Sequence, residues 1–233
     1  MRIAIVSDIH SNIEALTKAF SLIDNSSVDE VYCLGDIVGY GANPNECLDI
    51  IRRRAAKVVI GNHDMAVIEP EPKSPVPAIG RVVVEWTKKV LTEENRQYLM
   101  NLPLISQNSL CTLVHASPEN PAGWDYIVSL ENASRQFEYF STPLCFIGHT
   151  HIPSICGDDL KTFHLKRGRR SIINVGSVGQ PRDGNPDLSF GILDTDTWEY
   201  VNIRSPYDVD SASQAIVRNG LSHSLARRLF WGM

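Results

Sequence analysis

Short apolar runs alternate along this chain with segments whose apolar residues recur at helical spacing. Ile3-Ala4-Ile5-Val6 is wholly apolar, the pattern of a buried strand, and Ile13 to Ile23 carries the spacing of an amphipathic helix. Val31-Tyr32-Cys33-Leu34 predicts a second strand. Asn43-Pro44 then sets a cap residue and a proline ahead of a helix over Glu46 to Arg54, and Val58-Val59-Ile60 predicts a third strand. This β-α-β-α-β order predicts parallel pairing through right-handed crossovers. Pro70, Pro72, Pro75 and Pro77 make residues 70–77 a loop. Helices are expected from Ile79 to Leu91 and from Glu93 to Leu102, the second capped by Thr92, as an insertion over about residues 66–104 at one edge of the sheet.

Leu110 to Val114 and Leu144 to Ile147 read as further strands of that first sheet, with a helix over Leu130 to Tyr139 between them. After residue 150 the segments shorten. Ile152 to Cys156, Thr162 to Leu165, Ser171 to Val175, Leu188 to Leu193 and Glu199 to Ile203 predict a second, mostly antiparallel sheet packed on the first. The tail from Asp208 to Arg228 predicts a helix. No repeat or low-complexity stretch interrupts the pattern, and 233 residues suit a single domain over 1–233.

Composition narrows the classes. The chain is 43% hydrophobic and 21% charged, ordinary for a globular protein. Its five cysteines form no CxxC pair, and Cys33, Cys111 and Cys145 lie in apolar runs, which suits a reducing compartment better than a disulfide scaffold. The segment before Asp8 is too short for a signal peptide, and no apolar stretch approaches the roughly 18 residues of a membrane span. A soluble, cytoplasmic protein is the expectation. A net charge of −5 gives no electrostatic signal for nucleic acid, and the one basic run, Lys161 to Arg170, is short and interrupted.

The chemistry gathers at the strand ends. The first strand runs into Asp8-Ile9-His10, the second into Gly35-Asp36, the third into Gly61-Asn62-His63-Asp64, and the later two into His115 and Gly148-His149-Thr150-His151. Carboxyl ends of parallel strands share one edge, where ligands bind. Asp8 and His10, two apart in extended chain, would project to one side, and His149 and His151 repeat the arrangement. Five of the seven histidines fall in these segments. A set of imidazoles, carboxylates and an amide without thiolate suits Mn, Fe, Zn or Co rather than Ca, and excludes thiolate-rich structural zinc. Asp8, His10, Asp36, Asn62, His115, His149 and His151 are too many ligands for one tetrahedral ion but suit two sharing a carboxylate. Such a pair can clamp a phosphoryl group and activate a bridging water.

In order and spacing, DIH (8–10), GDIVG (35–39), GNHD (61–64), VHA (114–116) and GHTH (148–151) resemble the five motifs of the calcineurin-like metallophosphoesterases. The run from Asn174 to Arg182 resembles the glycine-serine loop of small bacterial and archaeal members. The resemblance implies an α/β fold, a four-layer α-β-β-α sandwich of two mixed sheets with a dinuclear site at the strand ends. It implies one metal on Asp8, His10, Asp36 and His151, and the other on Asp36 as bridge with Asn62, His115 and His149. His63 would stand beside the metals without ligating them, touching the phosphoryl oxygen or protonating the leaving group. The ions would be transition metals, Mn, Fe or Zn, with Mn expected to serve in vitro. Arg182 and Ser177 are candidates to contact substrate.

The activity implied is hydrolysis of a phosphomonoester or phosphodiester of a small molecule or nucleotide. Phosphoprotein and dinucleoside-polyphosphate phosphatases of the superfamily carry GDxVDRG and RGNHE, where this chain has Gly39, Tyr40 and Ile60. The aspartate that would pair with the histidine and two phosphate-clamping arginines are thus missing, which counts against that alternative. A non-catalytic scaffold, the role ascribed to the retromer subunit of the superfamily, would tolerate loss of His63 or of ligands, yet all are present. Trp124, Tyr126 and Tyr40 could stack on a base. The partner expected is a small phosphorylated substrate, with no membrane. The apolar tail from Ser224 to Trp231 fits docking on the core or on a second subunit, so an oligomer is open.

Overall fold

The computed structural model describes residues 1–70 and 78–233, so all but the first residue of the expected proline loop lies outside it. Two five-stranded sheets stack face to face. The first orders β10 (Glu199–Ser205), β9 (Leu188–Asp194), β1 (Arg2–Val6), β2 (Glu30–Cys33) and β3 (Lys57–Val58). The second orders β4 (Ile105–Gln107), β5 (Cys111–Val114), β6 (Leu144–Ile147), β8 (Ser171–Asn174) and β7 (Ser154–Gly157). Both are mixed: β1, β2 and β3 run parallel with β9 antiparallel to β1, and β5, β6 and β8 run parallel with β4 and β7 antiparallel at the edges.

Period-two alternation builds the layers. Ile3 and Ile5 of β1 face inward and join Tyr32, Leu34, Leu113, Leu144, Phe146, Ile173 and Leu193 in the core between the sheets. Ala4 and Val6 face outward, under Leu16, Ala19 and Phe20 of α1 (Ile13–Asp24) and Leu48 and Ile51 of α2 (Pro44–Arg54). On the far side, Val114, Cys145, Ile147 and Ile172 meet Ala133 of α6 (Leu130–Gln136) together with Phe137 and Phe140. The four layers expected from the resemblance are therefore present.

Strand assignment to sheets differs from the expectation in two ways. β5 and β6, which end at His115 and Gly148, belong to the second sheet, while β9 and β10 belong to the first, where β9 pairs with β1. A short apolar strand reads the same in either sheet, so pairing between residues nearly the whole chain apart leaves no local mark. Thr162 to Leu165 forms no strand. The tail is two helices, α7 (Val209–Arg218) and α8 (His223–Trp231), broken at Asn219-Gly220, where Gly220 takes φ +74°.

Beside the first sheet stand α3 (Asn62–Ile68), α4 (Ala78–Val90) and α5 (Glu93–Met100). The Thr92 hydroxyl caps α5 by accepting from the Asn95 N–H, as its sequence predicts, whereas Asn43 gives α2 no side-chain cap. Among the described residues all five cysteines are free, and no helix is long and apolar enough to cross a membrane.

Candidate metal centre and active site

Loops following β1, β2, β5 and β6, and the N-terminus of α3, meet at one end of the sandwich. Backbone bonds tie them together. Asp8 N–H donates to Gly35 O (3.0 Å), His10 N–H to Asp36 O (2.9 Å) and Ser11 N–H to Ile37 O (2.9 Å), while Gly148 N–H donates to His115 O (2.9 Å). The site therefore bridges both sheets, three of its segments coming from the first and two from the second.

Asp8 and His10 do converge, but not through extended chain. Asp8, His10, Asp36, His149 and His151 all have φ between 50° and 64°. Left-handed backbone at residues with a Cβ is strained by roughly 1–3 kcal/mol each, and such strain clusters at functional sites. Glycines make room for it. A Cβ on Gly148 would lie 2.4 Å from Asp8 Oδ2, and one on Gly61 would lie 2.1 Å from Asp36 Oδ1.

Among the described residues three groups of side chains could hold a cation, each with its ligand atoms within 4.8 Å of one another: Asp8, His10 and His151; Asp36, His115 and His149; and His10, Asp36 and His63. Asp8, His10, Asp36, His115, His149 and His151 are all buried. Asn62 joins the second group, its Oδ1 standing 3.2 Å from His115 Nε2. His63 is half-buried; its ring lies 4.9 Å from that of His10 and 4.5 Å from that of Tyr40.

Hydrogen bonding decides which ring nitrogens are bare. His10 Nδ1 lies 3.1 Å from Val38 O, His115 Nδ1 lies 2.8 Å from Leu34 O, and His151 Nδ1 meets Gln180 O. A carbonyl only accepts, so each Nδ1 carries the proton and each Nε2 of a neutral ring presents a lone pair inward. The Nε2 atoms of His10 and His151 then face each other at 3.1 Å, and His115 Nε2 faces Asp36 Oδ2 at 3.3 Å. Asp8 Oδ1 and His149 Nε2 are buried without a hydrogen bond among the described residues. Lone pairs crowded this way repel unless a cation lies among them, so the donor set fits metal ions.

The electrostatics agree. Burial resists charge on His115, but Asp36 and Asp8 outweigh it and raise its pKa to about 9, a demand for positive charge at that point. Burial, reinforced by His115, lowers His149 to about 3, and burial together with His151 pushes His10 well down, so both rings stay in the neutral form that ligates.

Several positioning residues escape sequence reasoning. Asp64 accepts from Val38 N–H (3.0 Å) through Oδ1 and from Gly61 N–H (3.1 Å) through Oδ2, bolting the loop after β2 to the start of α3. Burial and Asp36 raise its pKa. Ser7 Oγ donates to Asp8 Oδ2 at 2.6 Å, and Asn174 Nδ2 donates to Gly148 O at 2.6 Å. Their available signal was place: Ser7 abuts the DIH motif, and Asp64 closes the GNHD motif three residues after Gly61, where a carboxylate reaches back to the helix start.

Of the two candidate substrate contacts, only Arg182 reaches the open side. It lies with its guanidinium 5.7 Å from the Tyr40 ring centre and donates to Gln180 Oε1 (3.2 Å), with no carboxylate partner among the described residues. Ser177 is fully buried, its hydroxyl donating to Asp8 O (2.7 Å) and accepting from Gln180 N–H (2.8 Å). It thus holds the loop after β1 and faces no substrate. Position 39 shows why the paired aspartate is missing: a Cβ on Gly39 (φ +99°) would lie 2.7 Å from His63 Nδ1. Among the aromatic candidates, Trp124 is 9% exposed and packs as core, whereas Tyr126 is 52% exposed and stacks on His149 at 4.1 Å.

The calcineurin-like phosphoesterase superfamily domain model matches residues 1–198. An uncharacterised protein of Methanocaldococcus jannaschii, MJ0912, is 39% identical over 99% of this chain and 98% of its own length. The phosphodiesterase YfcE of Escherichia coli is 26% identical over 84% of this chain and 89% of its own. The crystal structure of a metallophosphoesterase from Sphaerobacter thermophilus superposes with a TM-score of 0.90 at 39% identity, covering 100% of this chain and 99% of that one.

Proposed function

The chain belongs to the calcineurin-like phosphoesterase superfamily, and from that premise we propose that it is a dinuclear metal-dependent hydrolase of phosphate esters on small molecules or nucleotides. The observation that carries this reading is the pair of buried groups, Asp8/His10/His151 and Asp36/His115/His149, set side by side with half-buried His63 next to them. Asp8, His10, Asp36 and His151 would hold one ion; Asp36, Asn62, His115 and His149 would hold the other. Bound there, the ions supply Lewis acidity and make water a nucleophile at neutral pH.

The protein's own residues supply the rest. His63 stands beside the ligands, where it can hydrogen-bond a phosphoryl oxygen or give a proton to the departing alkoxide. Burial lowers its pKa, and Arg182 adds to the effect against the pull of Asp36. Arg182, a guanidinium without a carboxylate partner among the described residues, takes the place of the missing arginines in contacting the phosphate. The absent paired aspartate sets this site apart from phosphoprotein phosphatases. We read the chain as one cytoplasmic domain over 1–233, with residues 66–104 as a helical insertion and Mn as the ion that serves in vitro.

The test is hydrolysis of p-nitrophenyl phosphate and bis-p-nitrophenyl phosphate by metal-stripped protein before and after addition of Mn. Turnover that appears with Mn and is lost in Asp36→Asn supports the reading, and the ratio of the two substrates gives the ester class. Failure to bind any transition metal overturns it.

A further inference from the structure

The helices α7 and α8 lie beyond residue 198, where the family model ends. They nevertheless touch Tyr40 and the loop that carries Arg182, the two residues that stand by His63 on the open side of the site. Tyr40 and Ala42 pack against Ala212 and Ile216 of α7 and Leu225 and Leu229 of α8. Tyr40 itself is in left-handed backbone at φ +53°, so its ring needs outside support to hold its place.

The Arg182 loop meets the end of α8. Gly184 N–H donates to Gly232 O at 3.0 Å, and a Cβ on Gly232 would lie 2.6 Å from three backbone atoms of Asn185. Gly232 is the left-handed cap of α8, at φ +61° and ψ +48°. On the other side of the loop, Arg204 of β10 pairs with Asp183, and Arg182 N–H reaches His151 O at 3.5 Å. Arg182 is thus carried on a short loop clamped between β10, the metal-site loop and the tip of α8.

We propose that α8 is a positioning element for substrate: Gly232 pins the 180–187 loop so that Arg182 stays over Tyr40 and beside His63. The proposal rests on the phosphoesterase reading, with Arg182 as the phosphate contact. Gly232 touches no substrate. It acts through Arg182, because the space for a backbone-to-backbone approach exists only without a Cβ.

The experiment compares Gly232→Ala, Gly232→Asn and a chain ending at Trp231 with Arg182→Ala, all loaded with Mn. It reads KM and kcat on the p-nitrophenyl ester turned over, metal content, and hydrogen exchange over 180–187. Every Gly232 change is expected to raise KM by about tenfold, the scale of one charge-assisted hydrogen bond, with kcat and metal content kept. Combining Gly232→Ala with Arg182→Ala should add nothing further, since both act on one contact. Asparagine tolerates left-handed backbone, so its failure to rescue marks the crowding against Asn185 as the cause. Full rescue by asparagine, multiplicative effects of the two changes, or an unchanged KM where Arg182→Ala raises it would overturn the proposal. Wild-type protein that turns over no ester sinks the phosphoesterase reading instead. The pin is then judged by exchange alone: faster exchange at 180–187 in the chain ending at Trp231 upholds it, and unchanged exchange overturns it.

Discussion

The histidines of the site do different work according to where each Nδ1 proton goes. His10, His115 and His151 give theirs to backbone carbonyls and point their Nε2 atoms inward. Among the described residues His63 has no such carbonyl, and Gly39 leaves room at its Nδ1. We therefore expect His63→Asn to lower kcat by about 10²–10⁴-fold, the range of general acid catalysis, with metal content by atomic emission unchanged. Loss of metal in that variant would move His63 into the ligand set. Gly148→Ala makes the opposite prediction. Its Cβ would meet Ser7 Oγ at 2.0 Å and Asp8 Oδ2 at 2.4 Å, so metal affinity should fall before anything else does. Titration of the stripped variant with Mn, read by calorimetry, checks this.

Helix and strand ends, more than their middles, fix the geometry. α3 was not visible as a helix because its seven residues carry the GNHD chemistry and little apolar periodicity. Its start is nonetheless held by Asp64, which bonds Gly61 N–H and Val38 N–H at once. Asp64→Ala would leave both buried donors unmet and cost about 2–4 kcal/mol in urea unfolding, while Asp64→Asn keeps an acceptor and should cost less. Equal losses in the two variants would show that the charge matters and the bonds do not. The motifs themselves were legible because each is a run of ligand-type residues at the end of an apolar strand, and that pattern is local. Partner strands were not: β9 and β7 look alike in sequence, yet one lies beside β1 and the other beside β8. Left-handed backbone at Asp8 and His10 was equally hidden, since it is imposed by the neighbouring loops and not by the residues.

Across the whole molecule, the candidate metal centre is where two sheets meet with no disulfide between them, since the cysteines are free. Ligands that bind only the folded form stabilise it by mass action, about 2.7 kcal/mol at a hundred times the dissociation constant. Stripping with a chelator should accordingly lower Tm by roughly 5–10 °C for a chain of this size, and restored Mn should return it. A Tm indifferent to chelation would mean that no ion binds the folded form in preference to the unfolded chain.

The pairing of β1 with β9 bears on how the chain comes into being. Arg2–Val6 leaves the ribosome well ahead of Leu188–Asp194, the strand that closes its second edge. Until then β1 offers an open row of backbone donors and acceptors to any passing strand. The nascent chain thus carries the root of the candidate site on an open edge while the intervening residues are made, and a neighbour able to shield that edge during translation should raise the yield of folded protein.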